Sequence, residues 1–532
     1  MLRSSPLSFH RSLSDTPAKR VSTPVPVQRI ASLFTDRRIF WALVVLSVAF
    51  YCQYQFWRQP CGQDRSIWDY FAQEIARGGA PYRDVVDIKT PFSAYIGAAV
   101  LLIARPFGIQ DVLAIRVAWL LVSSIAVGLV FLVASRSFNK VTAVMAAAIM
   151  LSFEHFSISN SAGIEPKTLV VAFGLSCLWA IQSKKSLLSG LFGMLAALTW
   201  QPGLLYVGVA FLASSHLLTR PFSKEATRTL AGAALPLFLL LLHLFLLGAL
   251  RDFYHWTILF NFSVYAPRGL RTLSGFVRTL DRDISQAYTD QRLWFVLAAI
   301  GFLLSLLLEA IRFRERRTRL SPDSISRDTI LLSALIYLLF CMINIQGPDD
   351  LIPLLPYVAI FAAVAIIQSL DSIADLLFQL MRRPAHPVIK QTSYVLILCW
   401  ISFNDAASAF AYQLNGPHLE EQILAAREIT SHLAPGDKVY AHGNVQLLVL
   451  SGLRNAERHV LLDRGKDTFM DRVEPGGFAS WFASLKDKRP KIVVLARLKN
   501  VDRGHEFKTW IENEYEVRNN GVYEYFLRKQ NL

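Results

Sequence analysis

The sequence predicts an all-α polytopic membrane domain of about 11 transmembrane helices plus outer juxtamembrane helices, followed by a small C-terminal α/β soluble domain. Three observations predict it. Of 532 residues, 53% are hydrophobic and 18% charged, against roughly a quarter charged in soluble domains, so there is too little polar surface to cover the chain in water. The apolar residues gather in blocks near the ~20 residues that a helix rising 1.5 Å per residue needs to cross a bilayer. After about Tyr412 the character changes, and charged residues return among short β-branched runs.

Residues 1–38, rich in Ser, Pro and Arg, read as a disordered basic tail. The first apolar block, Ile39–Trp57, is long enough to span and carries Gln53, Gln55 and Trp57 where a signal peptide would need small residues, so it reads as a retained span. Clear blocks follow at Val112–Ser135, Leu230–Leu250, Leu293–Ile311, Ile330–Ile345, Leu351–Leu370 and Ser393–Tyr412. Shorter ones lie at Val141–Phe156, Thr168–Gln182, Ser186–Trp200 and Leu204–Leu218, and the membrane domain as a whole covers residues 39–412.

The net charge of +15 has a topological explanation, so no nucleic acid partner is implied. Basic residues cluster in the tail, at Arg136 with Lys140, at Lys184–Lys185, at Arg220 with Arg228, at Arg312–Arg319 and at Arg382–Lys390, and short basic loops face the cytoplasm. An even number of crossings must then separate neighbouring clusters. Ile39–Trp57 and Val112–Ser135 already supply two, so Pro91–Gly108, interrupted by Arg105 and Pro106, is expected to lie along the outer surface or dip in as a re-entrant helix. The N-terminus is then cytoplasmic. Arg58–Thr90, Ser157–Pro166, Arg251–Gln291, Gln346–Asp350 and the C-terminal domain, residues 413–532, lie outside.

In that last domain the runs Lys438–Ala441, His459–Leu462, Lys491–Leu495 and Val522–Leu527 read as strands, and Leu419–Leu433 and Phe478–Lys486 as helices. Neither His442 nor His459 has a spacing that indicates catalysis. The five cysteines show no metal-ligand spacing and no disulfide framework.

The first outer loop, within residues 58–111, carries the most chemistry: CGQDRSIWDYFAQEIARGGAPYRDVVDIKTPF. Ile67, Phe71 and Ile75 share a helical stripe that Gly78-Gly79 stops. Asp64 stands at the first turn, where a carboxylate suits the helix dipole and can cap N–H groups; held at a membrane cavity it is also a positioned base. Beyond the glycines come Tyr82, Asp84, Asp87 and Lys89, acids suited to handling a proton and a lysine suited to a headgroup phosphate. Glu165, before Pro166 at the mouth of a span, is either a helix-terminus carboxylate or a functional one. In the Arg251–Gln291 loop, Arg268, Arg271 and Arg278 are placed to cover a cavity and contact phosphate.

In sequential order these features resemble the GT-C class of membrane glycosyltransferases, specifically its protein O-mannosyltransferase and aminoarabinose-transferase-like branch. The residues that carry the resemblance are Asp64 opening WDYFAQEIARGGAPYRD, the DIKTP segment, the acidic loop at Glu165, TWQPG after a span, and LIPLLPYVAIFAA, which looks like the family's LP-x-x-P span. The resemblance implies sugar transfer, with inversion, from a polyprenyl-phosphate-linked donor to a glycan, lipid or protein acceptor outside the cytoplasm, without a metal or other cofactor. It implies Asp64 as general base and Lys89 as holder of the donor phosphate, with looser assignments for Asp87 and Glu165. The chain departs from the pattern twice. Many relatives have Asp-Glu where this chain has Asp64-Arg65, and an arginine is common where the turn before the LP-x-x-P span reads QGPDD. Two other classes share the hydropathy pattern, a lipid or glycan transporter or flippase and a surface-polysaccharide polymerase or ligase. No duplicated halves favour the first, and the second is kept open by the long Arg251–Gln291 loop.

Overall fold

The computed structural model describes residues 35–215, 223–265, 271–315, 322–381, 387–414 and 416–529. Most of the basic tail, Arg220 and the loop residue Arg268 fall outside these. Phe40–Leu532 forms one compact unit.

Among the described residues six helices are long and apolar enough to cross a bilayer: Asp111–Ser137, Lys224–Leu246, Thr289–Arg312, Ser326–Asn344, Pro348–Leu380 and Pro387–Ala411. A seventh crossing is available to Lys140–Leu151 with Glu154–Ser161, a pair bent by 58°. Shorter apolar helices occupy Pro166–Gln182, Ser186–Thr199 and Gln201–Ser214. The helix Phe92–Ala104 has 13 residues and so rises about 20 Å, short of the ~30 Å hydrocarbon core.

Small residues set how closely these helices pack. A methyl group at Gly190 would overlap Thr229 O, and one at Gly232 would overlap Leu187 O, so the helices Ser186–Thr199 and Lys224–Leu246 touch backbone to backbone through reciprocal glycines. Gly301 does the same against Phe361 O. Lipid offers no hydrophobic drive between helices, and such close approach supplies the dispersion contact in its place.

The C-terminal domain is a four-stranded sheet in the order β1-β2-β4-β3, with β1 Val439–His442, β2 Ile492–Leu495, β3 Tyr515–Asn519 and β4 Glu524–Arg528. β1 and β2 are parallel, and β4 runs antiparallel to both β2 and β3. The expected strand at His459–Leu462 does not form, because Val460 O accepts from Gly443 N and Leu462 N donates to His442 Nε2. Its backbone groups are spent on tying a loop to the end of β1.

The C-terminal domain packs directly on the first outer loop. It shares a core with the first outer loop: Ile67, Tyr70, Phe71 and Val85 pack with Val439, Ala441, Val460 and Tyr525, and Tyr82 and Val86 with Tyr440, Phe469 and Phe507. Cross-bonds stitch the seam, including Cys61 N to Gln422 Oε1 (2.6 Å), Val86 N to Arg458 O (3.0 Å) and Asn455 N to Tyr70 Oη (2.8 Å).

Candidate active site

Where loop, membrane helices and C-terminal domain meet there is a polar cavity of about 310 Å³. The first loop contributes Asp64, Trp68, Asp87 and Lys89; the membrane domain contributes Lys167, Tyr265 and Gln346–Asp350; the C-terminal domain contributes Asp463, Arg464, Lys466 and Arg497.

Asp64 lies in the first turn of the helix Gln63–Ala76, but Gly62 is the N-cap and no side chain caps it. The expected capping role is therefore not what Asp64 does. Its Oδ1 pairs instead with Arg497 Nη1 at 2.5 Å, and the carboxylate is 49% exposed, which leaves it open to the cavity.

Lys89 Nζ sits 4.1 Å from the centre of the Trp68 ring, and among the described residues no carboxylate comes within 4 Å of it. Burial, with Lys167 as a second nearby cation, pushes its pKa below the ordinary lysine value. Its backbone is fixed from three directions. Tyr82 Oη donates to Lys89 O (2.7 Å), and Gln201 Nε2 and Asn261 Nδ2 each donate to Ile88 O (2.8 Å). Asp87 faces the same space with Oδ2 accepting from Trp68 Nε1 (2.9 Å).

Glu165 does not line the cavity. It is 1% exposed and N-caps the helix Pro166–Gln182, accepting from Lys167 N, with Pro166 at the first helical position where its missing N–H costs nothing. Its side chain stands 3.8 Å from both Arg65 and Lys167, so it serves as a buried counter-charge behind the site. Lys167 in turn reaches Asp350 (3.2 Å), and Arg65 reaches Asp349 (3.5 Å), whose Oδ1 also bonds His155 Nε2 (2.7 Å).

Three expected substrate contacts lie elsewhere. Tyr82 is fully buried with φ +67° and packs edge-on against Phe71 and Phe253; its work is to hold the Lys89 loop. Asp84 turns outward to Arg83, which holds its carboxyl below the usual range. Arg271 donates to Ile345 O (2.7 Å) and does not reach the cavity. Sequence reasoning missed Lys167, Asp349, Asp350, Arg464 and Arg497. The unusual PDD turn and the EPK triplet were the signals available for the first three; the two arginines sit in loops whose position only the tertiary fold decides.

Beside the polar cavity runs an apolar groove of about 1160 Å³, lined by Leu198, Trp200, Leu241, Phe245, Phe253 and Phe340 among others. Thr90, the residue after Lys89, lines the groove, and Tyr265 lines both spaces. Among the described residues no group of three or more His, Cys, Asp or Glu side chains is placed to hold a metal ion.

No protein-family model matches this sequence, and no curated protein matches it. Solved structures do match in three dimensions. The archaeal oligosaccharyltransferase AglB from Archaeoglobus fulgidus, in complex with an inhibitory peptide and a dolichol-phosphate, aligns over 93% of this chain and 75% of its own at 12% identity and TM-score 0.54. ArnT from Cupriavidus metallidurans bound to undecaprenyl phosphate aligns over 92% of this chain and 97% of its own at 14% identity and TM-score 0.54. The same ArnT in the apo state gives 94%, 98%, 14% and 0.53. At such identities the likeness establishes the fold: the chain is an integral membrane protein of GT-C architecture.

Proposed function

We propose that the protein is a glycosyltransferase that moves a sugar from a polyprenyl-phosphate-linked donor to an acceptor outside the cytoplasm, with inversion at the anomeric carbon. The observation that carries this reading is the position of Lys89. It stands at the junction of a polar cavity and an apolar groove, where a phosphate with a long isoprenoid tail has its charge and its hydrocarbon served by adjacent surfaces. The two neighbours whose structures hold dolichol-phosphate and undecaprenyl phosphate support the same donor class.

In this reading Asp64 takes the proton of the acceptor hydroxyl as its oxygen bonds to the anomeric carbon. The bond from that carbon to the donor phosphate oxygen breaks, and Lys89 stabilises the charge that develops on the phosphate. Asp87 holds Trp68 under Lys89. Catalysis is taken to be metal-independent; the cations on Asp349, Asp350 and Asp463 support this, and transfer that survives exhaustive chelation is the expected result.

The topology that goes with this function has about eleven spans, a cytoplasmic N-terminus and an extracytoplasmic C-terminal domain, supported by the basic loops. The test is transfer in membranes supplied with polyprenyl-phosphate sugars. Asp64→Asn should lose turnover and Lys89→Ala should lose donor binding while both remain folded. A folded Asp64→Asn protein with full activity would sink the assignment of the base.

A further inference from the structure

Counting pairs around the cavity leaves two cations of the C-terminal domain with unfinished business. Lys466 is spent on Asp463 (3.0 Å), Lys167 on Asp350 (3.2 Å), and Asp349 is held by Arg65 and His155. Arg464 is different: it donates to two neutral oxygens, Tyr265 Oη (2.9 Å) and Gln346 Oε1, and its nearest carboxylate, Asp463, stands 3.9 Å away and already serves Lys466. Among the described residues Arg497 pairs with Asp64 alone, through Oδ1, and that carboxylate stays half exposed to the cavity.

The backbone under these two arginines is built for their position. Both are non-glycine residues in the left-handed region, Arg464 at φ +60° and Arg497 at φ +62°, a strained conformation that persists only where the surroundings enforce it. One buried ring enforces both. His442, at the C-terminal end of β1, accepts from Leu462 N through Nε2 (2.9 Å) and donates from Nδ1 to Ala496 O (3.1 Å), so the loop before Arg464 and the residue before Arg497 are tied to a single imidazole. The site lies beyond the carboxyl ends of the parallel strands β1 and β2, the edge where α/β sheets hold their ligands.

We infer that Arg464 and Arg497 form a second anion site in the cavity, separate from Lys89, which takes a phosphate or carboxylate carried by the acceptor. Arg497 exchanges Asp64 for that anionic group, and the exchange frees the Asp64 carboxylate for the hydroxyl. This rests on the glycosyltransferase reading for the word acceptor, but the site itself is a binding property and is testable alone.

The test uses the full chain in detergent with saturating polyprenyl phosphate to fill the donor side, and inorganic phosphate and acetate as separate probes. The wild type should bind one further anion. Arg464→Gln and Arg497→Gln should each weaken it about tenfold or more, the scale of one charge-assisted hydrogen bond, whereas Arg497→Lys and Lys89→Ala should retain it. Asp64→Asn should bind the anion several-fold tighter, a gain that misfolding cannot imitate. The preferred probe tells phosphate from carboxylate. Anion affinity unchanged in both arginine variants, loss of the anion in Lys89→Ala, or one-for-one competition with polyprenyl phosphate overturns the inference. If polyprenyl phosphate does not bind but the anion still depends on the arginines, the donor assignment fails and the second site stands.

Discussion

Arg65 Nη2 lies 3.5 Å from Asp349 Oδ1, and the two residues belong to the two segments, Asp64-Arg65 and the QGPDD turn, in which the chain departs from the GT-C pattern it resembles. The first loop has a cation where many relatives have an acid, and the turn before the long helix Leu355–Leu380 has an acid where an arginine is common. In the folded protein an ion pair joins the two departing segments, a cation from one reciprocated by an acid from the other.

That reciprocity makes a prediction. Arg65→Glu sets a new carboxylate against Asp349 and Glu165 in a largely buried setting and should cost about 3–5 kcal/mol, the scale for breaking a buried pair. The exchange Arg65→Glu with Asp349→Arg should recover most of it. Thermal unfolding in detergent measures this, and a double variant no more stable than Arg65→Glu alone would contradict the pairing.

Asp69 predicts a pH dependence. It is fully buried, with Oδ1 accepting from Ile164 N (2.9 Å) and Oδ2 unpartnered among the described residues, and burial raises its pKa to about 7. The unfolded chain loses this proton near ~4. The folded state therefore binds more protons between about pH 4 and 7, and the Asp69 contribution to stability falls as pH rises through that window, then stays level. In Asp69→Asn, which keeps an acceptor for Ile164 N, that part of the slope should vanish from melting curves taken between pH 5 and 8.

His442 has the opposite sign. Burial pushes its pKa down to about 4, so the fold requires the neutral ring, with one nitrogen donating and the other accepting. The unfolded chain takes up a proton near ~6.5, so the His442 contribution is full above that pH and is lost as pH falls towards 4. His442→Phe leaves Leu462 N and Ala496 O without their partner and should cost roughly 1–3 kcal/mol, and it should abolish the acid sensitivity that this ring contributes.

The reciprocal glycines predict a packing effect. Gly190→Val and Gly232→Val each push a side chain into the backbone of the opposite helix and should destabilise by about 1–3 kcal/mol, as overpacking does. Gly208→Ala, also within a helix but meeting nothing within 4 Å, is the control and should melt with or slightly above the wild type.

Much of this was legible in the sequence, because the physics behind it is local. Apolar blocks long enough for a bilayer read directly as helices, and Asp64, Asp87 and Lys89 lie within one short loop that the chain folds into one wall. What was hidden depends on distant partners. Glu165 is a carboxylate at a helix start in either reading, and only the arrival of Arg65 and Lys167 makes it a buried counter-charge. Tyr82 and Asp84 sit among cavity residues in sequence but point away, since the left-handed turn at Tyr82 rotates them out. His459–Leu462 has the composition of a strand, and its hydrogen bonds were claimed by the end of another one. Strand β3 does alternate apolar and charged residues in YEVRN, but over only five residues, and Val517 is exposed, so it formed no buried face to read.

Asp64 and its partner Arg497 are separated by more than four hundred residues of chain. A nascent polypeptide inserts its spans in order, so at the usual ~5–20 residues per second the first loop waits on the order of a minute before the segment that completes its cavity has been made. Until the C-terminal domain is made, the lysine and the carboxylate have at most the membrane-domain wall formed by Lys167 and the Gln346–Asp350 turn, and no roof. Synthesis itself thus delays competence, and a chain stalled before Arg497 can hold the fold of its membrane half but not an assembled site.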